Sequence, residues 1–241
     1  MAPLIEVRGL RFRYPDGTEA LTGVDFRLDE RETVALFGPN GSGKTTFVLH
    51  LVGLLRGEGE IRVCGLPPEK DHLKTIRARV GVVFQDADVQ LFMPTVLEDV
   101  AFGPLNLGLS EAEARRRAEE ALQRVGMAAA IGKAPYHLSA GEKRRVALAG
   151  VLAMEPEILV LDEPTTFLDP PGRAALTSLL SELPQAKLLV THDVEFARTL
   201  ARRAVFFERG RIVSDGPVAE VARRHAWCAA GRDGISGAQP A

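Results

Sequence analysis

Gly38-Pro39-Asn40-Gly41-Ser42-Gly43-Lys44-Thr45-Thr46 decides how the rest of this chain is read. It has the form glycine, four residues, then Gly-Lys-Thr, a loop whose backbone N–H groups cradle phosphates. Its flanks give the pattern mechanical meaning. The apolar run from Glu32 to Phe37 reads as a buried strand, and Phe47 to Leu55 reads as a helix. Strand, loop and helix turn a row of N–H groups toward one point, where the helix N-terminus adds partial positive charge. Lys44 adds a full charge, and the Thr45 hydroxyl is a candidate magnesium ligand. The stretch implies a site for a nucleoside triphosphate.

A second signal follows at Ile158-Leu159-Val160-Leu161-Asp162-Glu163-Pro164. The run is too uniformly apolar to face water and reads as a buried strand of a parallel sheet. It ends in two adjacent carboxylates. Side chains alternate along a strand, so the two point differently and can hold different tasks. Asp162 is the candidate for magnesium, and Glu163 for the γ-phosphate side, where it would polarise an attacking water. Phosphoryl transfer asks for this: charge neutralisation and a positioned nucleophile, with little covalent help.

Composition narrows the function classes. The 241 residues carry 30 basic and 32 acidic side chains, a net charge of -2, which is not the footprint of a nucleic-acid binder. Arg115-Arg116-Arg117, Lys143-Arg144-Arg145, Arg202-Arg203 and Arg223-Arg224 lie in helical patterns with acidic neighbours and read as solvated faces. Cys64 and Cys228 show no metal spacing, and Cys64 reads as a small core residue in a strand. No signal segment and no run of eighteen apolar residues is present, so the chain is expected to be cytosolic, reaching a membrane only through a partner.

Along the chain, residues 4–13 and 18–28 read as strands joined by the turn Pro15-Asp16-Gly17. Further strands are expected at 60–64, 79–84 and 187–191, a helix at 171–183, and a hairpin around Arg209-Gly210. Residues 86–153 are mostly helical. Ser110 with Glu113, and Ser139 with Glu142, form candidate capping boxes that open helices ending near Val125 and Met154. Strands alternating with helices give an α/β core, with 86–153 as a helical insertion. Residues 229–241 are small and polar and read as a flexible tail.

With these residues in place, the chain resembles the ATP-binding subunits of ABC transporters, from Tyr14 to His192. Leu138-Ser139-Ala140-Gly141-Glu142 resembles the signature motif, Gln85 the Q-loop glutamine, Leu168-Asp169 the D-loop, and His192 the switch histidine. Tyr14 resembles the aromatic that stacks on adenine, although as a strand aromatic it could simply pack. Ala140 and Glu142 stand where glycine and glutamine are more usual, and Phe167 where a small residue is common. Neither departure removes a phosphate-facing group. The resemblance implies a P-loop NTPase core with an N-terminal antiparallel β subdomain (together 1–85 and 154–228) and an inserted helical subdomain (about 86–153).

The resemblance also implies ATP and Mg²⁺ as cofactors, with Thr45, Gln85 and Asp162 toward the metal. It implies Glu163 and His192 as the catalytic pair, and a dimer, homo- or heteromeric, in which ATP lies between subunits. The loop of one protomer then meets Ser139, Gly141, Glu142 and Asp169 of the other.

Residues 84–109 resemble more closely the ATPases of cobalt and nickel uptake and of energy-coupling-factor vitamin importers. Gln90, Leu91, Phe92 and Met93 are then candidates for docking an integral membrane subunit, although local packing explains an apolar run equally well. The chain is short beside the vitamin-type ATPases, which leans toward metal-ion import. Two alternatives are a soluble ABC ATPase acting on nucleic acid or ribosomes, disfavoured by the balanced charge, and a non-hydrolysing regulatory switch, disfavoured by Glu163 and His192.

Overall fold

The computed structural model describes residues 2–227, and the expected tail at 229–241 and Cys228 lie outside them. The N-terminal strands β1 (Ile5–Arg13) and β2 (Glu19–Leu28) pair antiparallel across the Pro15–Gly17 turn. There the Tyr14 N–H donates to Thr18 O at 2.9 Å. β4 (Glu58–Val63) joins the other edge of β1, giving a three-stranded sheet ordered β2-β1-β4. The strand expected at 60–64 starts two residues earlier and stops before Cys64. Cys64 takes φ 51° in the turn beyond the strand and is half-buried, so it is not a strand core residue.

The second sheet has six strands in the order β5-β6-β7-β3-β8-β9: β3 (Thr33–Phe37), β5 (Val80–Val83), β6 (Ile158–Asp162), β7 (Ala186–Val190), β8 (Arg203–Glu208) and β9 (Arg211–Pro217). All neighbours run parallel except β8 and β9, which form a hairpin. Its turn residues Arg209 and Gly210 have φ 48° and 76°, the pair of left-handed conformations that suits the strand twist. Val34 to Phe37 and all of β6 are buried, which is why these strands read as unbroken apolar runs. Lys187 interrupts β7; the residue is 4% exposed, and its ammonium donates to Leu183 O and Gln185 O at 2.6 and 2.9 Å. A buried cation is tolerated there because backbone carbonyls replace its water.

Eight helices are described. α1 (Lys44–Leu51) follows the glycine loop, three residues earlier than periodicity places it. α3 (Val96–Asn106), α4 (Glu111–Arg124) and α5 (Ala140–Leu152) build the inserted helical block. α6 (Pro170–Glu182) flanks the large sheet. Three short helices are absent from the sequence reading: α2 (Leu73–Arg79), α7 (Val194–Leu200) and α8 (Val218–Arg224). Each has seven residues, too few for a clear period.

Of the two expected capping boxes, Ser139–Glu142 forms in full. Ser110 does cap α4, but Glu113 does not reach back; Arg116 and Arg117 draw it away at 2.7 and 3.0 Å. Arg115 and Arg116 occupy a solvated, salt-bridged face as expected. A further box, Thr95 with Glu98, opens α3.

One contact fixes the small sheet against the glycine loop. Gly210 N donates to Ser42 O at 3.0 Å, while Thr22 N of β2 donates to Gly210 O at 2.8 Å. The β8–β9 turn is thus wedged between loop and small sheet, and Tyr14 ends up beside α1.

Candidate nucleotide-binding and hydrolysis site

The loop follows β3 and ends in α1. Two glycines are sterically required. Gly38 has φ 138°, and a Cβ there would run into the Phe207 carbonyl; Gly43 has φ 108°, and a Cβ would lie 2.6 Å from Ala20 O. Gly43 caps α1 without a side chain, leaving the first N–H groups of the helix for a ligand. Pro39, Asn40, Gly41, Ser42 and Thr46 complete the loop as the sequence predicts, with Ser42 and Thr46 buried.

Lys44 is 7% exposed and folds over the loop, donating to Gly38 O at 2.6 Å and Pro39 O at 2.9 Å. Burial pulls its pKa down, and Glu163 and Asp162 oppose that. The end of β6 brings the carboxylates in: Thr45 Oγ1 stands 3.5 Å from Asp162 Oδ2. Burial raises Asp162 above the usual carboxylate range, with Lys44 the main opposing charge. Burial pushes Glu163 up to about 7, partly countered by the His192 N–H. Such a carboxyl is poised to exchange a proton near neutrality.

His192 follows β7 and faces Glu163. Its Nε2 is 3.1 Å from Glu163 Oε1 and 3.2 Å from Asn40 Oδ1, and its backbone N–H donates to Glu163 Oε2 at 3.4 Å. Burial and then Lys44 hold the imidazole toward its neutral form, so its approach to Glu163 Oε1 is a close contact rather than an ion pair, and Nε2 is hydrogen-bonded to Asn40 Oδ1. One cavity of about 290 Å³ is lined by Tyr14, Asn40, Gly41, Gly43, Lys44, Thr45, Thr46, Gln85, Asp162, Glu163 and His192. Tyr14 meets α1 directly, its hydroxyl 3.0 Å from Thr46 Oγ1, with Phe12 against its ring edge.

Ser139, Gly141, Glu142 and Asp169 do not line that cavity. Ser139 is exposed and engages Glu142 as a helix cap at 2.8 Å, and Asp169 caps α6 by accepting from Gly172 N at 2.9 Å. Gly141 lies against Leu168, so the start of α5 abuts the loop that carries Asp169.

Sequence reasoning missed Arg144. The charge run Lys143-Arg144-Arg145 predicts a solvated face, yet Arg144 is 5% exposed and donates to the backbone carbonyls of Glu163 and Gln85. Two charged neighbours hid it, since charge runs are ordinarily solvated. Its signal was the position: Val146, Ala147 and Leu148 are buried next to it.

Gln90 places its side chain inward, accepting from Phe84 N at 2.9 Å and donating to Val82 O at 3.0 Å, so it extends the end of β5. The main chain at Phe92 and Met93 is pinned by Asp99, each N–H donating to it at 3.1 Å. Phe92 is 63% exposed and meets Phe102 edge to face. Gln90, Leu91, Phe92, Phe102 and Leu54 line an apolar groove on α3 and the end of β5.

A mostly parallel sheet carrying a glycine loop after β3, a lysine folded over that loop and two carboxylates at the end of β6, two strands away, defines a P-loop nucleotide-binding cassette. Comparison sharpens that class. The ABC transporter family model matches residues 21–166, and the chain belongs to that family: it is an ABC transporter ATPase. It is 55% identical to a putative ABC transporter ATP-binding protein of Streptomyces avermitilis over 91% of this chain and 84% of the relative. It is 48% identical to the energy-coupling factor transporter ATP-binding protein EcfA of Methanothermobacter thermautotrophicus, over 91% and 73%. CbiO1 of Clostridium perfringens, part of the ABC transporter complex CbiONQ, superposes with a TM-score of 0.82 at 36% identity, over 93% and 92%. A dimeric ATP-binding cassette bound to ADP and Pi superposes with a TM-score of 0.81 at 29% identity, over 89% and 98%. The chain is thus similar both to an energy-coupling factor transporter ATP-binding protein and to a subunit of a CbiONQ complex.

Magnesium fits this donor set. Among the described residues no cluster of three His, Cys, Asp or Glu side chains could cage a metal. A cavity with one buried carboxylate, a hydroxyl and an amide suits an ion that keeps waters and takes the rest of its ligands from phosphates.

Proposed function

We propose that this chain is the ATP-hydrolysing subunit of a membrane importer, with cobalt or nickel ions as cargo. One observation carries the coupling of hydrolysis to transport. A single short segment joins the two sites: Gln85 lines the nucleotide cavity, and Gln90 to Phe92 line the apolar groove. A change at one end of the segment is felt five residues away.

In this reading the loop N–H groups and Lys44 bind the triphosphate, and Tyr14 packs on the base. Thr45, Asp162 and Gln85 are the residues that would hold magnesium, which when bound neutralises phosphate charge. Glu163 takes a proton from the attacking water, and His192 with Asn40 fixes the direction of its carboxylate. A second protomer presents its own Ser139, Gly141, Glu142 and Asp169 to the same nucleotide, which is why these residues stand outside the cavity of their own chain. The groove at Leu91, Phe92 and Phe102 receives a cytoplasmic helix of the membrane subunit, with Met93 next to it in the chain but outside its lining, and the chain sits peripherally on the cytoplasmic face.

Reconstitution with the membrane subunits it co-purifies with tests the reading: ATP-dependent uptake of Co²⁺ or Ni²⁺ is expected, lost with Glu163→Gln. The 48% identity to EcfA favours a second reading, import of a vitamin. Vitamin uptake with no metal uptake would decide for it.

A further inference from the structure

Arg144 lies in the second turn of α5, five residues beyond Ser139, and is all but removed from solvent. A buried guanidinium is costly unless its donors find acceptors. It finds two backbone carbonyls on separate segments: Glu163 O, just past β6, and Gln85 O, just past β5. The charges of Glu163, Asp162 and Asp86 also face it.

The backbone it grips is unusual. Glu163 has φ 47°, a left-handed conformation that costs a non-glycine residue about 1–2 kcal/mol and persists only where the surroundings hold it. Its N–H is held by Val190 O at 2.8 Å, within the large sheet. Its carbonyl is held by Arg144, from the helical block. Beside this contact the seam between block and core is incompletely filled: a cavity of about 270 Å³ runs between α5 and α6, lined by Arg144, Leu148, Leu161, Leu168, Leu176 and Leu179. Val146, Leu148 and Val151 of α5 share a buried cluster with Leu159 and Leu161 of β6, and Arg144 adds a polar tie beside that packing, at the cavity's edge.

We propose that Arg144 is a positioning residue for hydrolysis, tying the turn that carries Glu163 and the end of β5 at Gln85 to the helix that begins at Ser139. The aim of the Glu163 carboxylate then depends on where the helical block sits. The fork geometry matters, because a guanidinium presents donors to two separated carbonyls and an ammonium presents them from a single nitrogen. The proposal rests on Glu163 being the base.

The test is phosphate release by the full chain carrying Arg144→Met or Arg144→Lys, with Glu163→Gln run beside them and ATP affinity measured for each. A misaimed base costs about ten- to a hundredfold in rate. Arg144→Met is expected to lose that factor in kcat while KM and ATP affinity stay within about threefold. Arg144→Lys, which keeps the charge and one contact, is expected to recover part of kcat. Wild-type kcat in either variant overturns the proposal, as does a rise in KM with kcat unchanged, which would make Arg144 a support for binding alone. If Arg144→Met does not fold, Arg144→Lys decides by the same split. A fully active Glu163→Gln would overturn the base assignment beneath the proposal, and the proposal with it.

Discussion

At the scale of single residues, the site is a set of buried charges whose cost is met by neighbours. Lys44, Asp162 and Glu163 each lose solvation; the two carboxylates partly restore the Lys44 charge and Lys44 partly restores each of theirs, while Asp162 adds to the cost of charging Glu163. Removing Lys44 takes away a charge-assisted contact to phosphate of about 1.5–3 kcal/mol. Lys44→Ala is therefore expected to weaken ATP binding about ten- to a hundredfold by calorimetry, and wild-type affinity would remove the loop lysine from the account. Glu163→Gln is expected to keep ATP affinity and lose about a hundredfold or more in turnover, the usual share of a general base. An unchanged rate would refute that role.

His50 gives a prediction about stability alone. It is fully buried in α1, with Nδ1 2.7 Å from Thr46 O, and burial lowers its pKa from 6.5. The folded chain keeps it neutral, whereas the unfolded chain protonates it below pH 6.5. Its contribution is whole above pH 6.5 and is lost as pH falls, at about 1.4 kcal/mol per unit for one proton. His50→Gln should flatten the fall in urea midpoint between pH 6.5 and 5.5; an identical fall in variant and wild type would place the titration elsewhere.

At the scale of elements, what the sequence made legible follows from where function and periodicity coincide. The glycine loop, β6 and the strand before His192 were legible because apolar runs ended on the residues that do chemistry. The short helices α2, α7 and α8 were not, since seven residues span barely two turns. Arg144 was misread because burial of a charge depends on tertiary contacts that no local pattern shows. Glu113 was misassigned because two arginines competed with the helix N-terminus for it. The Thr95–Glu98 box was overlooked inside an apolar stretch after Pro94. This box has a measurable consequence, because Thr95 Oγ1 accepts from Glu98 N while Glu98 accepts from Thr95 N. Thr95→Ala is expected to cost about 1 kcal/mol, or about 2–4 °C in Tm for a chain of this size. A thermal melt that does not move would mean α3 is fixed by packing alone.

At the scale of the whole molecule, the two faces answer to different partners. The nucleotide cavity is chemically complete on one side, with Lys44, Asp162, Glu163 and His192, while Ser139 and Asp169 lie outside it. The groove around Phe92 and Phe102 leaves aromatic surface in water at 63% and 39% exposure. Exposed patches of that kind mark interaction sites. The two faces are separable by mutation, since no groove side chain at Phe92 or Phe102 lines the cavity. Phe92→Asp puts a charge where an apolar helix would dock, and an unpaired charge at a buried contact is strongly unfavourable. The expected outcome is that Phe92→Asp hydrolyses ATP as the isolated chain at the wild-type rate, within about twofold, because α3 packs against the core through Val96 and Val100 rather than Phe92. Its co-purification with the membrane subunits should fall at least about tenfold, the effect of about 1.4 kcal/mol at an interface. Pull-down against the tagged membrane subunit, beside a phosphate-release assay, measures both. Retained co-purification would move the docking surface off this groove, and a parallel loss of hydrolysis would show that Phe92 supports the fold of the segment between Gln85 and α3.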